Sequence, residues 1–142
     1  MIATEAPTAR RRAWVFDVDG CLIDSMSGDS LRPLVPDLLD ALTGAGVEIV
    51  LWSAGGQEYA RRRAEQFGFD HLLTATYGKV ERDESGAWSV AEVLAGHDPE
   101  LFVDDLPHEL PASVDVIGVR PYLAENRHDK ALAGLLERAT VA

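Results

Sequence analysis

Short continuous apolar runs alternate along this chain with stretches whose apolar residues recur at helical spacing. "AWVFDV" (13–18) reads as a buried strand. "LVPDLLDALTGAG" (34–46) places Leu34, Leu38, Leu39 and Leu42 on one helical face and ends in glycines suited to a C-cap. "VEIVLW" (47–52) predicts a second strand, and "GQEYARRRAEQFGF" (56–69) a helix stopped at Gly68. A third strand is expected over 71–77, a short helix over 89–96 closed by "HDP", a fourth strand over 101–105 and a fifth over 114–119. "RHDKALAGLLERA" (127–139) predicts the closing helix. The polar stretch 80–88 reads as a loop or a small hairpin turning at Ser85-Gly86. Strands that are apolar throughout need cover on both faces, and their alternation with helices predicts a parallel sheet. The expected fold class is α/β: a three-layer sandwich, a Rossmann-like parallel sheet of about five strands with helices on both faces.

No repeat, linker or low-complexity segment divides the chain. The expected organisation is a flexible lead-in over 1–12 and a single domain over 13–142. A chain of 142 residues is long enough to bury a core without staples. Cys21 is the sole cysteine, so no internal disulfide forms, which fits a reducing cytoplasm. The net charge of −11 repels nucleic acid phosphates and anionic lipid at long range. No apolar run approaches the roughly 20 residues of a membrane span. The start "MIATEAPTARRRAW" lacks an apolar segment behind its arginines, so no secretory leader is expected. Its "ARRR" reads as a solvated approach to the first strand.

In parallel sheets, ligands bind beyond the carboxyl ends of the strands. Strand 1 ends in Asp17 and Asp19, strand 2 in Ser53, and strand 4 in Asp104-Asp105, while Lys79 follows strand 3. Two carboxylates about 4 Å apart repel by roughly 4 kcal/mol at an effective dielectric near 20. Several at one rim need raised pKa values or a cation. Mg²⁺ meets that need, because it takes oxygen ligands and is held by one or two carboxylates together with substrate phosphate. In an extended chain, Asp17 and Asp19 point to one side. Gly20 lets the backbone turn away beyond them. Ser53 precedes "AGGQ", where a helix begins and free amides suit a phosphate.

These stretches resemble the haloacid dehalogenase-like (HAD) superfamily of phosphatases over about 13–120, as a small member without a cap domain. The D-x-D-G signature is "FDVDGCLID". A serine ends strand 2 in "IVLWSAGG", a lysine stands in "YGKVE", and an acidic pair ends strand 4 in "LFVDD". The resemblance implies that 13–142 is a HAD-like catalytic domain and a Mg²⁺-dependent phosphomonoester hydrolase. Asp17 would be the nucleophile that forms an aspartyl-phosphate, and Asp19 the general acid and base. Ser53 and Ala54 would bind the phosphoryl group with Lys79. Asp17, Asp19 through its backbone carbonyl, Asp104 and Asp105 would hold Mg²⁺, Asp105 directly or through water. A C–Cl hydrolase of this superfamily needs neither a leaving-group acid nor Mg²⁺, so Asp19 and the acidic pair point to phosphoryl transfer.

Particular residues argue against other readings. Cys21 lacks the arginine of a C-x₅-R phosphatase, since Ser27 stands there. His71, His97, His108 and His128 show no metal-ligand spacing. "GAGVEI" precedes its strand and lacks a third glycine, so it is no dinucleotide loop. Trp52 and Trp88 read as packing residues, and Asp24 as structural or loop-orienting. Arg82 is the nearest substitute for Lys79. A phospho-acceptor receiver domain has similar groups in a different order. A binding-only or catalytically weak HAD-like domain, and a polynucleotide end phosphatase using Arg61, Arg62 and Arg63, are the alternatives in function. The segments between the motifs are each filled by one helix and one strand, which leaves room only for a small flap at 25–33. The expected partner is a phosphorylated substrate, small or macromolecular, with no membrane engaged and with nucleic acid disfavoured, though not excluded, by the net charge; a second subunit would be one way to close so open a site.

Overall fold

The computed structural model describes residues 12–141. The expected lead-in therefore lies outside the described residues, except Arg12, which opens the first strand. The elements are β1 (Arg12–Phe16), α1 (Val35–Gly44), β2 (Glu48–Ser53), α2 (Gln57–Gln66), β3 (Ala75–Gly78), α3 (Ala91–Gly96), β4 (Asp98–Asp104), β5 (Val116–Gly118) and α4 (Ala133–Val141). All neighbouring strands pair parallel, in the order β3-β2-β1-β4-β5. A receiver-like sheet runs 2-1-3-4-5, so this order excludes that rival and matches the Rossmann-like expectation.

Strand pleating divides the core between the two faces. Trp14, Phe16, Ile49, Leu51, Leu101 and Val103 face one side, where Leu38 and Leu42 of α1, Ala60 and Ala64 of α2, and Leu135 and Ala139 of α4 cover them. Ala13, Val15, Val50, Trp52 and Phe102 face the other side, against Val93 of α3 and Leu110. Each fully buried leucine on the first face stabilises the fold by about 1.5–3 kcal/mol. No helix among the described residues is long and apolar enough to cross a membrane.

Three boundaries move. Residues Asp70–Leu72 form a 3₁₀ turn rather than the start of β3, closed by the Leu72 amide on the Phe69 carbonyl. β4 begins at Asp98 because Arg12 and Ala13 extend β1 and pair with Asp98 and Pro99. α4 begins only at Ala133, because the Asp129 carboxylate accepts the Ala131 amide and bends the chain there. The 80–88 stretch is a small hairpin: Arg82 bridges to Trp88, and Asp83 caps the turn through Ser85 and Ala87. The 25–33 flap is pinned rather than free. The Ser25 and Met26 amides donate to the Tyr122 and Leu123 carbonyls, and Arg63 and Gln66 of α2 donate to the Gly28 carbonyl. Among the described residues nothing larger is inserted between β1 and β2 or between β2 and β3.

Candidate active site

The strand order reverses direction between β1 and β4, and there the crevice opens. Asp17 follows the end of β1, and Asp104 ends β4. The Asp17 amide donates to the Val103 carbonyl at 3.0 Å, which fixes the two strand ends against each other. Beyond Asp17 the chain wraps on itself, with the Cys21, Leu22 and Ile23 amides all donating to the Val18 carbonyl. Gly20 has φ of +80°, and a side chain there would collide with the Asp105 carboxylate. Only glycine lets the D-x-D-G turn approach Asp105 so closely.

Asp17, Asp104 and Asp105 bring a carboxylate oxygen each to within 4.8 Å of one another. Lys79 lies across them: its Nζ is 3.0 Å from Asp17 Oδ1 and 2.9 Å from Asp104 Oδ2. The second oxygen of Asp104 accepts the Leu106 amide at 2.8 Å. Asp105 Oδ1 is buried and has no partner among the described residues. Burial raises the Asp17 carboxyl well above the carboxylate range, and Asp104 and Asp105 add to that, while Lys79 opposes it. Burial pulls the Lys79 ammonium down, but Asp17 and Asp104 outweigh this and hold it above its ordinary value. One lysine thus answers part of the charge of three acids. A hard cation fits the remainder, because every donor is a carboxylate oxygen and one of them is buried without a partner.

Lys79 reaches this point through β2 and β3. Its amide donates to the Ser53 carbonyl at 2.8 Å, so strand 2 positions the lysine backbone. Gly78 stands just before it, with the Gly56 Cα only 3.2 Å from where a Cβ would be. The Lys79 Nζ lies 5.0 Å from the Trp52 ring centroid, a cation–π contact that steadies the ammonium. Ser53 is buried, and its Oγ accepts the Gly55 amide at 3.0 Å. Ala54 is exposed at the turn that leads into α2, whose N-terminus carries no side-chain cap. Arg82 is drawn away to the Gly86 carbonyl, Glu109 and the Trp88 ring, so it does not replace Lys79.

Asp19 is the expected residue whose carboxylate stands outside the three-acid cluster. Both its oxygens accept from the Tyr59 hydroxyl, at 2.8 Å each. Arg63 donates to the same hydroxyl at 3.1 Å and stacks on the Tyr59 ring. Sequence reading missed Tyr59 and placed Arg63 only in a basic patch with Arg61 and Arg62; the i,i+4 spacing of Tyr59 and Arg63 on α2 was the available signal. It also missed Arg32, which is fully buried. Arg32 donates to the Cys21 and Arg120 carbonyls and forms a two-pronged pair with Asp129, tying the D-x-D-G turn to the chain after β5. Cys21 is buried, its thiol pushed up by desolvation and directed at the Val103 carbonyl. His97 is structural, between Tyr77 and Glu48.

No protein-family model matches the chain, and no curated protein matches its sequence. Solved structures do match. An uncharacterised protein from Listeria monocytogenes serotype 4b aligns with a TM-score of 0.63 and 14% identity, over 92% of this chain and 97% of that one. The core domain of a protein provisionally named as a phosphoglycolate phosphatase, from Streptococcus pneumoniae TIGR4, aligns with a TM-score of 0.59 and 14% identity, over 91% and 95%. This chain shares the fold of both. A chain of the Pnkp1/Rnl/Hen1 complex also aligns, with a TM-score of 0.53 and 17% identity, over 83% of this chain and 48% of that one. At such identities the likeness carries the fold and nothing finer.

Proposed function

We propose that this chain is a Mg²⁺-dependent phosphomonoester hydrolase that works through an aspartyl-phosphate. The observation that carries the reading is the meeting of Asp17, Asp104 and Asp105 at the β1/β4 crevice with Lys79 laid across two of them. In this reading Lys79 engages Asp17 Oδ1, and Oδ2 attacks phosphorus. The O–P bond to Asp17 forms as the ester P–O bond breaks, and Asp19 gives its proton to the departing oxygen. Asp19 then takes a proton from water, the water oxygen attacks phosphorus, and the Asp17–phosphorus bond breaks to release phosphate. Lys79, the Ser53 hydroxyl and the amides around Ala54 and the α2 start hold the phosphoryl oxygens. Asp17, the Asp19 carbonyl, Asp104 and Asp105 would hold Mg²⁺, which supplies charge neutralisation at the transferring phosphoryl group.

The single buried cysteine supports a cytoplasmic setting. The pinned flap and the absence of a larger insertion among the described residues support an open site. Two alternatives remain proposals of lower standing. A polynucleotide end phosphatase is favoured by the likeness to the Pnkp1/Rnl/Hen1 chain and opposed by the net charge of −11. A binding-only domain is opposed by the presence of every expected site residue. The test is turnover of p-nitrophenyl phosphate with and without Mg²⁺. Turnover that requires Mg²⁺ is expected; none in the presence of correctly bound Mg²⁺ would favour the binding-only reading.

A further inference from the structure

Resting on the phosphatase reading, we infer that the cavity beyond β5 receives a second anionic group of the substrate, so that the preferred phosphomonoesters carry a further phosphate or carboxylate. This cavity measures about 630 Å³, and none of the site carboxylates lines it. Arg120, Tyr122, Asn126, His128 and Lys130 do. It lies at the same rim of the sheet as the three-acid cluster. The Val119 amide donates to the Asp104 carbonyl at 3.0 Å, and the Tyr122 amide to the Gly20 carbonyl at 2.7 Å. The cavity wall is thus bonded directly to the two motif segments that carry the candidate chemistry.

Its charge runs against the rest of the molecule. Acidic residues outnumber lysine and arginine 24 to 13 over the chain, and five of the described cations are held in ion pairs. Arg12, Arg61 and Arg82 each pair with a glutamate, and Lys79 with two aspartates. Arg120 and Lys130 form no ion pair with any described residue, and both border this cavity. Asp129, the one carboxylate in its lining, is committed to the buried Arg32. The local balance is therefore cationic beside a site that is otherwise acidic.

The wall is also held in shape before any ligand arrives. Arg32 donates to the Arg120 carbonyl and stacks over the Tyr122 ring at 5.2 Å. The Tyr122 hydroxyl accepts the Asn126 amide at 3.0 Å, and the Asn126 side chain accepts the His128 amide at 3.0 Å. Two exposed cations carried by a backbone braced in this way suit an anion better than the same charges on a loose loop, because less backbone ordering is lost on binding. An open HAD-like site also needs some feature that selects its substrate, and this cavity offers one.

The test compares two substrates on the full chain and on the Arg120→Gln/Lys130→Gln double variant. p-Nitrophenyl phosphate has one anionic group, and fructose 1,6-bisphosphate has two. The ratio of kcat/KM for the bisphosphate to that for p-nitrophenyl phosphate is expected to fall about tenfold in the variant, as for lost charge-assisted hydrogen bonds, and added salt should narrow the gap. An unchanged ratio overturns the inference. A separate measurement keeps the cavity distinct from the activity. Pyrophosphate is titrated into the metal-free protein while backbone amide shifts are followed by NMR. Shifts at Arg120, Tyr122 and Lys130 in the wild type that vanish in the variant support the cavity even if neither ester is hydrolysed. Shifts absent there in the wild type overturn it even if p-nitrophenyl phosphate is hydrolysed well.

Discussion

Asp17 and Asp24 belong to one short stretch, "WVFDVDGCLID", and end in opposite situations. Asp24 is buried, and the loop that follows closes around it. Its carboxylate accepts the Ser27, Gly28 and Ser30 amides and both serine hydroxyls, at 2.6 to 3.1 Å. Those donors push its carboxyl far below the ordinary range, against the opposing effect of burial. Asp17, also largely buried, has one lysine and two further acids for neighbours, and burial pushes its carboxyl up. An aspartate whose acceptors are all filled builds structure. An aspartate left among like charges costs stability in the free protein, and that cost makes sense where a cation or a phosphoryl group is to be bound.

The comparison breaks most sharply at Asp17. Asp17→Asn should lower kcat by a hundredfold or more on p-nitrophenyl phosphate, roughly 2.7 kcal/mol of barrier or greater, with a melting temperature no lower than wild type by more than about 3 °C. Residual activity above about a hundredth of wild type removes the nucleophile assignment.

Asp24→Ala should do the reverse. It strips partners from three amides and two hydroxyls of the loop that closes around it, at a cost of about 2–3 kcal/mol and about 6–10 °C in melting temperature. Activity per folded molecule should change far less than in Asp17→Asn. A melting temperature unchanged by the substitution would mean that water replaces the carboxylate at no cost, and the loop argument would fall.

pH separates the two residues by sign. The Asp24 carboxyl titrates lower in the folded than in the unfolded chain. Its contribution is therefore complete above pH about 4 and fades as pH falls below that. The Asp17 carboxyl titrates higher in the folded chain. Its contribution is present below pH about 4 and is lost as pH rises toward neutrality. In urea unfolding with a chelator present, Asp24→Ala should flatten the acid limb of stability against pH, and Asp17→Asn should lift the neutral end relative to the acid end. Parallel curves for wild type and either variant would refute that assignment.

Much of this site was legible in the sequence because its residues end strands, and strand ends in a parallel sheet converge whatever lies between them. β1, β2 and β4 announce themselves as apolar runs; Asp17 directly follows the first, and Ser53 and Asp104 end the other two. What stayed hidden depends on partners distant in the chain. Arg32 looks like a surface arginine until Asp129 and three backbone carbonyls are folded around it. The start of β4 at Asp98 follows from pairing with Arg12, which composition assigns to a lead-in. α4 starts late because Asp129 is used as a turn acceptor, although Lys130 and Ala131 favour helix on propensity alone. Tyr59 fits an amphipathic helix equally well with or without a role.

Tyr59 gives the finest test, because Asp19 stands between the two extremes. Its carboxylate stands outside the three-acid cluster of Asp17 and has fewer donors than Asp24, accepting one hydroxyl that is held in turn by Arg63. Tyr59→Phe keeps the ring and its stacking on Arg63 and removes only the donor. If Asp19 moves the proton, losing that positioning should lower kcat about threefold to tenfold, with KM changed by less than about twofold. The loss should also depend on the leaving group. p-Nitrophenolate departs with little help from an acid, whereas the alkoxide of glycerol phosphate needs the proton as the P–O bond breaks. The variant should therefore lose more on glycerol phosphate than on p-nitrophenyl phosphate. Equal losses on both would make Tyr59 a packing residue of α2 and leave Asp19 without a positioning partner.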